Sequence, residues 1–205
     1  MAEVRIIEVP LRSLAGGREH LFGARMSSEH LAAMLTSIPA SSAPIETSPS
    51  TIILFDFTGV LSATSSYLKG LLFALLQDAN VPSPAPELGL FPVVRGLCNT
   101  IREELADLAQ MAGRATLEAV DVEGRRVRRA QLHGALDPAL RETLTTLCRA
   151  GRATAPELHA ASLQTINVTA WNNRLAELYA KRLATRERDG KRWIYESVAA
   201  EVLYG

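Results

Sequence analysis

Cysteine is scarce in this chain: 205 residues carry two, Cys98 and Cys148, far apart and each in an apolar helical setting. That excludes a disulfide framework and fits reduced thiols packed in a core. Charge of one sign is not in excess, because Lys plus Arg and Asp plus Glu count 22 each. No global field therefore draws the chain to nucleic acid or to a membrane, and any such attraction must be local. The four histidines, His20, His30, His133 and His159, lack metal-ligand spacing, and no Cys/His pair lies close enough to imply zinc. Long apolar runs are also missing, the longest near Leu71 to Leu76 being far below spanning length. No charged-then-apolar leader opens the sequence, so the expected location is the cytoplasm, with no membrane partner. Gly16-Gly17-Arg18 lacks both the Lys-Ser/Thr of a P-loop and the spacing of a dinucleotide fingerprint. No serine stands in a nucleophile elbow. The expectation is a protein that is not an enzyme and uses no cofactor and no metal.

What is present is ordinary globular composition, 47% hydrophobic and 21% charged, with room for two modest domains. Val4 to Val9 reads as a strand stopped by Pro10. A Gly16-Gly17 turn, a short strand at His20 to Phe22, and a helix after Ser27-Ser28 with Leu31, Met34 and Leu35 follow. Pro39 to Ser50 is a Ser/Pro-rich loop. The run Ile52 to Phe55 is apolar at every position, as in a strand covered on both faces. Asp56, Thr58 and Gly59 break it. The polar cluster Ser62, Thr64, Ser65 and Ser66 offers helix caps, and from Tyr67 the leucines Leu68, Leu71, Leu72 and Leu75 recur at helical spacing.

The segment DFTGVLSATSSYLKGLL resembles the signature loop of STAS domains, the fold of anti-sigma-factor antagonists, and more closely the divergent STAS-like family. The resemblance implies a mixed α/β sheet with helices over residues 1–132. It also implies a regulatory turn in which Asp56 matches the strand-terminal Asp, Gly59-Val60 the hydrophobic step, and Ser65 the serine that a partner kinase modifies. Thr64 stands where antagonists usually carry Asp, Tyr67 where they carry Gly, and Lys69-Gly70 where the STAS-like subfamily has an acidic pair. A hydroxyl at a helix N-terminus would tolerate a phosphate, but the same residues serve as plain N-caps. The candidate regulatory turn is Ser62, Thr64, Ser65 and Ser66.

Beyond this turn, the prolines of VPSPAPELGLFP argue against regular structure, and a helix is expected from about Val93 to Met111. Ala115 to Leu132 reads as a hairpin about Glu123-Gly124. Its second arm, with Arg125, Arg126, Arg128 and Arg129, is either a basic edge strand or a contact to phosphates. From Asp137 three helical segments follow: one capped by Asp137-Pro138, a short one with a Thr154/Glu157 capping box, and a third from about Asn167 to Leu183 with Trp171, Leu175, Leu178, Tyr179 and Leu183 apolar. ATRERDGKRWIYES then reads as a hairpin about Asp189-Gly190.

This order, and INVTAWNNRLAELYAKRLATRERDGKRWIYES in particular, resembles the winged helix-turn-helix of small bacterial regulators, so that residues 133–205 would form an α+β DNA-binding domain. The long helix would enter the major groove, leaving Gln164, Asn167, Thr169, Asn172 and Asn173 as candidate base readers. Arg174, Lys181, Arg182 and the wing residues Arg186, Arg188, Lys191 and Arg192 would meet phosphates. From Arg174 to Arg192 there are seven basic and three acidic residues, which supplies the local positive charge. Trp193 is expected to pack beneath the wing, or, as an exposed strand aromatic, to support a partner interface. The expected function is a DNA-binding transcriptional regulator, a homodimer on double-stranded DNA, whose STAS-like part senses a kinase-like or other protein partner. The alternatives are an interaction adaptor in a partner-switching or host-defence system, with the winged helix used for docking, and a phosphotransfer substrate of a separate kinase-like ATPase.

Overall fold

A computed structural model describes residues 4–38, 50–76, 89–162 and 166–204. The first part of the chain alternates strands and helices: β1 (Arg5–Pro10), α1 (Leu11–Leu14), β2 (His20–Leu21), α2 (Gly23–Ser37), β3 (Thr51–Asp56), β4 (Ser62–Ala63) and α3 (Ser65–Leu68), which continues as a π turn over Lys69–Phe73. Next come β5 (Leu90–Arg95), α4 (Asn99–Met111), β6 (Ala115–Glu123) and β7 (Arg126–Gly134). The rest is α5 (Pro138–Ala150), β8 (Arg152–Ala153), α6 (Ala155–Ala161), α7 (Val168–Ala180), β9 (Ala184–Asp189), β10 (Arg192–Ser197) and β11 (Ala199–Tyr204).

The principal sheet has six strands in the order β1-β3-β5-β6-β7-β11. The first four are parallel, β6 and β7 form an antiparallel hairpin, and β11 returns parallel to β7. Because the parallel strands step in one direction, right-handed crossovers place α2, α3 and α4 on one face. There Ile53, Phe55 and Val94 meet Tyr67, Leu71, Ile101 and Leu105 in one core. The other face carries Ile52, Leu54, Phe91, Val93 and Leu117, and it is covered by Leu140 and Leu144 of α5 and by Trp171, Leu175 and Leu178 of α7. This two-sided burial is why Ile52 to Phe55 is apolar at each position.

Several expected boundaries shift. Val93 and Val94 belong to β5, not to a helix; Gly96, at φ 68, ends the strand, and α4 begins only at Asn99. A Cβ on Gly96 would lie 2.5 Å from Thr58 Oγ1, so the β5–α4 turn needs glycine there both for φ and for space. The same strand contains Pro92, in a stretch where regular structure was not expected. Pro92 lies opposite Ile53 of β3, while pairing with β6 is confined to Val93 and Val94, so its missing N–H falls outside that ladder. The helix placed after Ser27-Ser28 starts earlier, at Gly23, and both serine hydroxyls donate to the Ala24 carbonyl from within it. The arginine-rich arm is not an edge: β7 lies between β6 and β11, with Arg126 paired to Glu196 and Arg128 to Glu123. The boundary drawn between 132 and 133 falls inside β7, and β11 places residues 199–204 in the same sheet as the N-terminal strands.

Local chemistry accounts for the C-terminal elements. Asp137 accepts the Ala139 N–H at 2.8 Å to cap α5, and Thr154 with Glu157 closes a capping box on α6. Asn167 caps α7 through the Ala170 N–H at 2.9 Å. Register pairs Asp189 with Arg192, so the β9–β10 turn consists of Gly190, at φ 57, and Lys191. The hairpin and β8 form a three-stranded sheet in the order β8-β10-β9.

Candidate functional site

Two surfaces carry the residues singled out in the sequence, and they occupy different parts of the fold. On α7 the buried side is Trp171, Leu175 and Leu178, and the exposed side carries Thr169, Asn172, Asn173 and Ala176, with Glu177 exposed beside these four. Three- and four-residue spacing makes these four one stripe, which Tyr179 continues toward the helix C-terminus. Asn167 flanks the stripe, but its side-chain oxygen is committed to the cap. Arg174 is half-buried, and Lys181 pairs with Glu177 at 3.5 Å. Gln164 lies outside the described residues.

Beyond the stripe stands the β9–β10 hairpin. Arg188, Lys191 and Arg192 are exposed around its turn, where Arg188 Nε donates to the Gly190 carbonyl at 3.1 Å. Arg186 is half-buried, its guanidinium 4.0 Å from the Tyr179 ring centroid and 4.1 Å from that of Trp193. Arg188 lies over the Trp193 ring as well, at 4.8 Å. Trp193 is therefore half-buried, packed against the second core as expected, and at the same time a platform for two arginines. Arg182, expected to touch phosphates, is instead 1% exposed, with φ 61, and sits over the rings of Phe91 and Tyr179 at 5.4 Å each. None of its guanidinium nitrogens has a hydrogen-bond partner among the described residues. Burial pulls its pKa down, partly offset by Tyr179.

The serine turn lies at the carboxyl ends of the parallel strands. Asp56 ends β3, accepting from Arg95 Nη2 at 2.8 Å and from the Thr58 N–H at 2.9 Å. Burial pushes its carboxyl pKa up, but Arg95 and Thr58 outweigh this and hold it below the ordinary value. Arg95 also pairs with Glu8, so the ends of β1, β3 and β5 are joined by charge. The cap of α3 is Thr64, whose Oγ1 accepts the N–H groups of Tyr67 and Gly23. The Ser62 hydroxyl is 2.8 Å from His20 Nδ1, Ser66 is exposed and within 3.1 Å of Thr64 Oγ1, and Ser65 donates to Glu104. A phosphate on Ser65 would thus face a carboxylate, and α3, only four residues long before its π turn, offers little macrodipole in return. Phe22 and Leu61, 53% and 54% exposed, flank this turn.

Sequence reasoning missed a third cluster. Glu118 of β6 is 6% exposed and accepts from Arg102 Nε and Nη2 at 2.9 and 2.8 Å, and it lies 2.8 Å from His133 Nε2. Its signal was a charged residue at the centre of an apolar strand, ATLEAV. Burial raises the Glu118 pKa, but the bonds from His133 and Arg102 prevail and bring it to about 2. With Gly96, Leu97, Val120 and Gln131 the cluster lines an open cleft. Among the described residues no helix is long and apolar enough to cross a membrane. No family model matches the sequence, and neither a curated protein nor a solved structure proved similar to it.

Proposed function

We propose that the chain is a cytoplasmic DNA-binding regulator whose C-terminal part works as a winged helix-turn-helix and whose N-terminal part, STAS-like in its signature loop, receives a protein signal. The observation that carries the reading is the order helix α5, strand β8, helices α6 and α7, hairpin β9–β10, joined by a sheet in which β10 lies between β8 and β9. That arrangement supports a helix presented to a major groove with a hairpin beside it. The polar stripe Thr169, Asn172 and Asn173 supplies groups that pair with base edges, and Arg188, Lys191 and Arg192 supply cations for the backbone. Regulators of this kind read paired half-sites, so the proposed active species is a homodimer. Phe22 and Leu61, exposed beside the serine turn, favour a protein partner there.

The test is retention on mixed genomic duplex DNA over a salt series. The expected result is an affinity that falls steeply with salt and a further loss in Arg188→Ala and Arg192→Ala, each reducing the slope of log K against log salt by about 1. Absence of retention at low salt would refute DNA binding and favour the docking adaptor.

A further inference from the structure

Two arginines of the β9–β10 hairpin, Arg186 and Arg188, are held by aromatic rings, and Arg188 also by the Gly190 carbonyl, and not by acids. Arg186 lies between the rings of Tyr179 and Trp193, and Arg188 also covers Trp193. Among the described residues neither arginine is ion-paired to a carboxylate, and the neighbouring Glu187 is paired with Arg152. Stacking of this kind uses the face of the planar guanidinium and leaves N–H groups on its edge for other partners, in Arg188 those of the two Nη atoms, since its Nε donates to Gly190, with the charge intact. An ion pair would have fixed the side chain and neutralised it together. Location adds to the argument. Tyr179 closes the exposed stripe of Thr169, Asn172, Asn173 and Ala176 on α7, so the stacked arginines stand where the hairpin meets that stripe.

From this geometry we infer that Tyr179 and Trp193 are positioning residues, holding Arg186 and Arg188 as a preset clamp for the phosphate backbone of a duplex lying along α7. The inference rests on the DNA-binding reading above. Its physical content is preorganisation: the rotamer freedom that an arginine loses on gripping a phosphate is already lost in the folded protein, so binding loses less of it. Trp193 itself is then no stacking platform for a base, since arginines cover its ring.

The principal variant keeps every charge and removes one ring. Binding of full-length protein to a fluorescently labelled mixed-sequence duplex is measured from about 50 to 200 mM salt. Trp193→Ala should bind about tenfold more weakly, with a salt slope shallower by about 1 to 2, because two arginines no longer meet fixed phosphates. Trp193→Phe should recover most of the loss. Arg186→Lys, which keeps the charge and the two rings but removes the planar guanidinium that stacks between them and its rigid donor fork, should show a loss in the same direction. Arg25→Gln, removing a cation from α2 across the sheet, should bind like wild type. If Trp193→Ala and Arg186→Lys both match wild type in affinity and slope, the clamp is overturned while DNA binding stands. Should Trp193→Ala fail to fold, a wild-type slope in Arg186→Lys overturns the clamp by itself. A wild-type protein that does not bind DNA overturns both.

Discussion

Arg182 is the residue at which local rules conflict most. A bulky side chain at φ 61 is disfavoured, and a guanidinium 1% exposed without a hydrogen-bond partner among the described residues is disfavoured again. The rings of Phe91 and Tyr179 offset part of this, each cation–π contact contributing up to about 2 kcal/mol when desolvated, against a burial cost of several kcal/mol for the ion. Arg182→Met keeps the length and apolar stem of the side chain while removing the charge. Its urea midpoint should rise, corresponding to a gain of about 1–3 kcal/mol. A midpoint at or below wild type would mean that the rings compensate the charge in full. Ser65 shows the opposite situation, a group whose environment is satisfied: its hydroxyl donates to Glu104, while Thr64, the residue departing from the antagonist pattern, performs the capping. The sequence marks both positions as polar helix-start residues, and only the fold, by bringing α4 alongside, separates their roles.

Among the elements, α4 and the β6–β7 hairpin are tied by one carboxylate, since Glu118 of β6 accepts from Arg102 of α4 and contacts His133 of β7. Its folded pKa of about 2 lies below the ordinary 4.5, so the carboxylate stabilises the fold at pH values above about 4.5. That contribution is lost as the pH falls from there through about 2, and Asp56, also lowered, acts in the same direction. The pH-dependent part amounts to at most about 3 kcal/mol for Glu118. Denaturant midpoints should therefore fall across this window, and Glu118→Gln should flatten the profile; an equally steep profile in the variant would remove Glu118 as its source. Elements with a local signature were legible in the sequence: β3 from its unbroken apolar run, α5 and α6 from their caps, and the β9–β10 hairpin from its glycine turn. Those defined by distant partners were not. The pairing of β11 with β7 joins residue 199 to residue 127, and nothing in AAEVLY announces it. Apolar residues at 93, 94, 97 and 101 fit a helix as well as a strand followed by a helix, and the decision rests on how closely Gly96 approaches Thr58. The candidate interface was legible as a set of basic residues, but its stacking on Tyr179 and Trp193 was not, because a cation–π contact leaves no spacing in the chain.

For the whole molecule, a single sheet buried on both faces binds the serine turn and the C-terminal helices into one body. The face bearing Ile52, Leu54, Phe91, Val93, Leu117, Val127 and Ala130 is covered by the helices that follow residue 134, and β11 completes the sheet beside β7. Fully burying a large apolar side chain contributes about 1.5–3 kcal/mol, so uncovering this set costs on the order of 10 kcal/mol, comparable to the entire stability of a typical domain. A fragment of residues 1–132, the unit that the signature loop alone would delimit, should therefore lose its cooperative thermal transition and bind a hydrophobic dye. The full chain should unfold in one transition followed alike by far-ultraviolet circular dichroism and by tryptophan fluorescence, which in a Trp193→Phe background reports Trp171 in the shared core. A fragment melting sharply on its own, or a full chain whose two signals separate, would divide the molecule into independent units. One transition would instead mean that a contact at the serine turn and a contact at α7 act on the same cooperative structure, which is the physical condition for one to influence the other.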